Sequence, residues 1–269
     1  MEQFSMISKS HFDKKTKIPV FEGPNAEKVF FSMALNMLNE IIANNEAEKR
    51  TVYIVPVGPV GEYPYFVELV NTFKVSLKNV WFINMDEYLT DEMMWVSSDH
   101  PLSFRGFMKR NVYDRILPEL VMEESHRVFP DPEHPERIGE IIADLGGVDI
   151  CFGGLGINGH IAFNEPENVN PKEYAQRPTR VLRIDERTRT VNGIGDLGGR
   201  VDDMPHYCIT VGMREILSAR KIRMYCFRKW HKAVVMRAAF GETDSLFPVT
   251  LTQNHPDAAI TFAAIPIAD

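Results

Sequence analysis

After Pro24 and Asn25, apolar residues recur at three- and four-residue spacing. Val29, Met33, Met37, Leu38, Ile41 and Ile42 predict an amphipathic helix that ends in the polar stretch 44–50. Residues 51–57 (TVYIVPV) read as a strand. A Gly/Pro loop follows at 58–61, then a helix from Pro64 that buries Phe66, Leu69, Val70 and Phe73. The almost continuous apolar run 80–85 (VWFINM) is the next strand, and runs of that kind belong to parallel sheets covered on both faces. Helices are expected over 103–116, 135–145 and 231–240, and strands over 148–152 (VDICF), 207–211, 222–227 and 259–264. This alternation predicts an α/β fold: a doubly wound, mostly parallel, Rossmann-like sheet with helices on both faces. No composition shift marks a linker, so residues 1–269 are read as a single domain with an N-terminal extension at 1–20. The Gly-rich segment 192–203 (NGIGDLGGRVDD) reads as a mobile flap, within a lid spanning approximately 176–205.

Composition narrows the function classes. A chain of 269 residues buries roughly 70–75% of its unfolded surface, enough for a core without staples. The 30 basic and 37 acidic side chains give a net charge of −7, which argues against nucleic-acid and membrane-surface roles for the chain as a whole. A small anionic substrate stays open, because a few local donors suffice to bind a phosphate. Cys151, Cys208 and Cys226 are odd in number and far apart, each in an apolar run. They read as buried reduced thiols of a cytoplasmic protein, with neither disulfide nor zinc spacing. Residues 1–20 lack the apolar stretch of a signal peptide, and no window reaches the roughly 20 apolar residues of a membrane span.

In open α/β sheets ligands bind beyond the carboxyl ends of the strands, so the loops after residues 57, 85 and 152 are where chemistry is sought. The first of interest is Met85-Asp86-Glu87-Tyr88. A carboxylate at a strand end with apolar neighbours is a candidate base for a C–H proton, and its plainer reading is a turn carboxylate accepting local N–H groups. The second is Gly153-Gly154-Leu155-Gly156-Ile157-Asn158-Gly159-His160-Ile161-Ala162-Phe163-Asn164-Glu165-Pro166. Its residues 154–159 satisfy G-x-G-x-x-G, yet the sequence runs into the turn-forming Asn164-Glu165-Pro166 rather than into a helix, and no nicotinamide or flavin cofactor is expected. What remains is a close-approach loop presenting His160, with Asn158 and Glu165 near it. A neutral imidazole beside a carboxylate is suited to moving protons at physiological pH. No G-x-S-x-G, H-E-x-x-H or cysteine in a basic loop supports acyl-enzyme or metal chemistry. A carbon-acid base plus a histidine relay suits sugar isomerisation.

Taken in order, Met85-Asp86-Glu87-Tyr88, His100-Pro101 with Ser103-Phe104, residues 153–166, Thr210-Val211-Gly212 and Lys232-Ala233 resemble the glucosamine-6-phosphate deaminases. The likeness spans about residues 25–265, and Gly159-His160-Ile161-Ala162-Phe163-Asn164-Glu165-Pro166 is its most specific part. The sister 6-phosphogluconolactonases share the fold and the glycine loop but not that continuation. The resemblance implies isomerisation and deamination of an amino-sugar phosphate to fructose-6-phosphate and ammonia without a cofactor. It assigns Asp86 as the base working between C2 and C1, and His160 as the acid/base that opens the ring. Glu165 and Asn158 stand behind that histidine. It places substrate or phosphate contacts at Gly58, Val60, Gly61, Glu87, Gly154, Gly156, Gly159 and Lys232, and makes a homo-oligomer a candidate assembly.

The sequence departs from the family pattern in several places. Asn158 replaces a frequent aspartate, so it can orient His160 but cannot stabilise its imidazolium by charge. The phosphate loop reads Val57-Gly58-Pro59-Val60-Gly61, in which Pro59 removes a backbone donor and Val60 replaces a hydroxyl. The family's flap arginine falls at Ile194 or Gly195, and Arg200, Arg228 and Lys229 are the cations left to compensate. Arg180 matches a position used for an allosteric phosphate, whose usual lysine neighbour is Leu182 here. These departures keep two alternatives open: the same machinery on a different hexosamine or sugar phosphate, and a sugar-phosphate-binding regulator without turnover.

Overall fold

The Asn25 side chain accepts a hydrogen bond from the Lys28 N–H and so starts α1 (Ala26–Glu46) where the sequence pattern places it. In the computed structural model, which describes residues 8–9 and 15–264, this helix buries Val29, Met33, Ala34, Met37, Leu38 and Ile41 and leaves Asn36 and Asn39 to solvent. Ahead of it run β1 (Ser8–Lys9) and β2 (Val20–Gly23). After it come β3 (Thr51–Val55), α2 (Glu62–Phe73), β4 (Val80–Asn84), β5 (Asp86–Leu89), α3 (Phe104–Asn111), β6 (Arg127–Val128), α4 (Arg137–Asp144) and β7 (Ile150–Gly153). The chain continues through α5 (Pro171–Tyr174), β8 (Arg180–Arg183), α6 (Glu186–Asp196), β9 (Tyr207–Thr210), α7 (Met213–Leu217), β10 (Lys221–Cys226), α8 (His231–Phe240) and β11 (Ala258–Ala263).

Seven strands pair in parallel in the order β2-β11-β10-β7-β3-β4-β6, and β1 adds an antiparallel edge. Strand β3 shows why its residues are apolar throughout. Val52 and Ile54 join one apolar cluster with Ile138 and Ile142 of α4, Met213 and Ile216 of α7, and Val234, Val235 and Ala238 of α8. Tyr53 and Val55 join the other, with Met33 of α1, Phe66 of α2 and Met108 of α3. A central strand covered on both faces cannot alternate with polar residues, which is what the run TVYIV records. The doubly wound arrangement expected from the sequence is therefore present. Cys151, Cys208 and Cys226 are free and buried. Among the described residues, no helix is long and apolar enough to cross a membrane.

The structure departs from the sequence reading in three places. Residues 207–211 form no part of the parallel sheet: β9 lies antiparallel between β5 and β8 in a separate three-stranded sheet. Neither β5 (DEYL) nor β8 (RVLR) has the apolar continuity that announces a strand. Met85 joins the two sheets, its N–H bonding Val55 O at 2.9 Å and its carbonyl accepting Val211 N–H at 2.8 Å. The flap at 192–203 is half helical, because Asp185 caps α6 and the helix runs through Gly193. A Cβ at Gly193 would lie 2.9 Å from Val201 Cα, so glycine there serves close packing of α6 against the turn that follows it. Helix α2 begins at Glu62, before Pro64, and leaves Phe73 exposed at its end. Most of the expected N-terminal extension at 1–20 lies outside the described residues.

Candidate active site

The loops beyond the carboxyl ends of β3, β4, β7 and β10 converge on one cavity of about 480 Å³. Asp86 lines it as the first residue of β5, at the point where the chain leaves the parallel sheet. It is only 6% exposed, and burial, reinforced by the neighbouring Glu87, pushes its pKa well above the usual carboxylate range. A carboxylate so destabilised is a stronger base, as abstraction of a C–H proton demands.

Glu87, expected to touch substrate, instead turns away into the protein. Its carboxylate accepts the N–H groups of Tyr88, Phe104 and Arg105 and the Ser103 hydroxyl at 2.9–3.0 Å, and it does not line the cavity. Successive strand residues point to opposite faces, so an inward Asp86 obliges Glu87 to serve the other side, where it holds the start of α3.

His160 also lines the cavity. Its Nδ1 lies 3.3 Å from Glu165 Oε2 and 3.3 Å from the Thr188 hydroxyl. Asn158 donates to Glu165 Oε2 at 2.7 Å, and its Oδ1 accepts the His160 backbone N–H at 3.3 Å. Thr188 adds a third contact to the same carboxylate oxygen, 3.2 Å away. Burial raises the Glu165 pKa, but the imidazole and these donors outweigh it and hold it below the usual range. An ionised Glu165 facing Nδ1 selects the tautomer protonated there and leaves Nε2 as the unprotonated nitrogen. Asn158 and Glu165 are thus supports behind His160. Thr188, on α6, is a third support that no sequence motif marks.

The predicted glycines divide by role. Gly58, Gly61, Gly154 and Gly156 line the cavity together with Val60. A Cβ at Gly156 would lie 2.0 Å from His160 Nε2, so this glycine is required by the imidazole packed across it. Gly159 does not line the cavity: its φ of +82° turns the chain beneath His160, with the Phe247 ring where a side chain would go.

Lys232 is exposed and does not line the cavity. The preceding residue of α8, His231, takes the inward position, and a step of one residue around a helix carries Lys232 outward. His231 Nδ1 accepts the backbone N–H groups of Phe227 and Arg228 at 3.0 and 2.8 Å, and Nε2 faces Leu155 O at 3.0 Å. It staples the loop after β10 to the glycine loop. Burial lowers its pKa from 6.5 to about 4. Of the other candidate cations, Lys229 is absent from the lining and Arg200 is paired with Asp203 in solvent, whereas Arg228 lines the cavity. Arg180 is committed to Glu167 at 3.0 Å and Asn164 at 2.8 Å. Among the described residues no cluster of His, Cys, Asp and Glu is arranged to hold a metal ion.

No protein-family model matches the chain. A glucosamine-6-phosphate deaminase of Aliivibrio fischeri (strain MJ11) is 32% identical over 241 residues, which cover 87% of this chain and 86% of that protein. One from Cronobacter sakazakii is 31% identical, covering 81% of this chain and 79% of its own. Among solved structures, a monomeric glucosamine-6-phosphate deaminase superposes with a TM-score of 0.74 at 27% identity, over 91% of this chain and 96% of that one. The 6-phosphogluconolactonase from Plasmodium vivax matches with a TM-score of 0.66 over 99% of this chain and 96% of its own, at 13% identity, a likeness of fold alone.

Proposed function

The chain belongs to the glucosamine-6-phosphate deaminase family, and on that premise we propose that Asp86 and His160 divide the proton transfers by which it converts glucosamine-6-phosphate to fructose-6-phosphate and ammonia. One observation carries the reading. A buried carboxylate with a raised pKa and an imidazole backed by an ionised carboxylate line the same small cavity.

Ring opening moves a proton from the O1 hydroxyl to the ring oxygen, and His160 Nε2 is the nitrogen free to relay it. Asp86 then takes the C2 proton of the open aldose while the C1 carbonyl oxygen takes a proton from water, which gives an enolamine, and Asp86 returns its proton to C1. The C2–nitrogen bond becomes an imine, water adds across it, and ammonia leaves as the C2 carbonyl of fructose-6-phosphate forms. Two spatially separate proton carriers suit this sequence, because ring oxygen and C2 are protonated and deprotonated at different positions of one bound sugar.

The test is direct. The purified protein incubated with glucosamine-6-phosphate is expected to release equal amounts of ammonia and fructose-6-phosphate. Asp86→Asn is expected to stop exchange of the C2 hydrogen with solvent deuterium while the sugar phosphate still binds. Exchange at the wild-type rate would refute the role given to Asp86, and binding without turnover by the wild type would favour a regulator.

A further inference from the structure

The cavity wall includes Phe30, Val57, Pro59, Val60, Phe227 and Trp230. Pro59 has no N–H to give and Val60 no hydroxyl, so side chains of this loop offer an anion nothing. The backbone is more accessible: nothing lies within 4 Å of the position a Gly58 side chain would occupy. Among the described residues lining the cavity, Arg228 alone carries a permanent positive charge. We infer that Arg228 is the ligand for the substrate's phosphate, and that Asp196 on the lid helix is its internal counter-ion, which the incoming phosphate displaces. The inference rests on the sugar-phosphate reading of this site and names the residue that reads the phosphate.

Three observations support it. First, the guanidinium is held in place without being used up. It lies over the rings of Phe227 and Trp230, at 5.4 and 6.0 Å from their centroids, and its backbone N–H is fixed by His231. Second, among the described residues its nearest anionic neighbour is Asp196 Oδ1 at 3.9 Å, beyond hydrogen-bonding distance, and there the fork of donors that matches a phosphate is uncommitted. Third, the end of α6 reaches the guanidinium: a Cβ at Gly195 would stand in ordinary van der Waals contact with Arg228 Nη2, 3.7 Å away. Asp196 is the last residue of α6 and its side chain is 43% exposed, so it is free to swing to solvent. A phosphate dianion and Asp196 cannot both sit on one guanidinium without like-charge repulsion. Substrate therefore competes with the protein's own carboxylate for Arg228.

Inorganic phosphate is the probe, read both as a competitive inhibitor of turnover and by titration of the fluorescence of Trp230, which touches Arg228. Arg228→Gln is expected to raise KM for glucosamine-6-phosphate and the phosphate Ki together by about 10- to 100-fold, with kcat changed far less. Arg228→Lys should recover part of the loss. Asp196→Asn is expected to tighten phosphate binding about threefold or more. An unchanged Ki in Arg228→Gln, or weaker phosphate binding in Asp196→Asn, would overturn the inference. The fluorescence titration needs no turnover. A wild type that binds phosphate through Arg228 yet leaves glucosamine-6-phosphate unchanged would sink the proposed reaction and leave this assignment standing.

Discussion

His231 ties the loop after β10 to the glycine loop that carries His160, and it does so only as the neutral ring. Its Nδ1 accepts two backbone N–H groups, which a protonated nitrogen cannot do. Burial lowers its pKa from 6.5 to about 4, so between those limits the unfolded chain binds the extra proton and the folded chain does not. Stability from this residue is therefore complete above pH 6.5 and is lost as pH falls toward 4. Taking both states through the titration, acidification from pH 7.5 to 5 removes about 2 kcal/mol on account of His231 alone. Asp86 and Glu62 have raised pKa values and give the opposite slope, so a single curve does not isolate the histidine. The comparison with His231→Asn does, since that variant keeps an acceptor near the Nδ1 position but cannot titrate. Urea unfolding at both pH values is expected to show the wild type losing about 2 kcal/mol more than the variant. Equal losses in the two proteins, or an NMR titration placing the His231 pKa near 6.5, would refute the reasoning.

Two further outcomes follow from buried groups near the site. Gly156→Ala forces a methyl into the ring of His160, which Glu165 and Thr188 prevent from yielding freely; kcat is expected to fall about 100-fold with the fold retained, and steady-state kinetics beside circular dichroism checks it. Glu62 is fully buried and, among the described residues, both its carboxylate oxygens lack a hydrogen-bond partner; burial raises its pKa, so whatever stability it contributes is present at low pH and lost as pH rises. Glu62→Met is expected to stabilise the protein by about 1–3 kcal/mol near neutral pH and by less in acid, and a lower urea midpoint at neutral pH would contradict this.

The layered fold, and the two residues Asp86 and His160 that line one cavity, were legible in the local pattern of the chain. Strands buried on both faces must be continuously apolar, and helices with one buried face must repeat at 3.6 residues, so β3, β4, β7 and α1 are legible locally. The segment from Gly159 to Pro166 is legible for a related reason. A histidine laid against glycine, with its carboxylate five residues on, is built almost entirely from near neighbours. Tertiary structure decided whatever depends on which way a side chain faces or which sheet a strand joins. Glu87 and Lys232 look like ligands in one dimension, but each adjoins a residue that took the inward position, Asp86 on the strand and His231 on the helix. Thr188, Asp196 and Arg228 line the cavity from segments distant in the chain, α6 and the loop after β10. No local pattern encodes such contacts, because they are fixed by packing between elements rather than by the period within one.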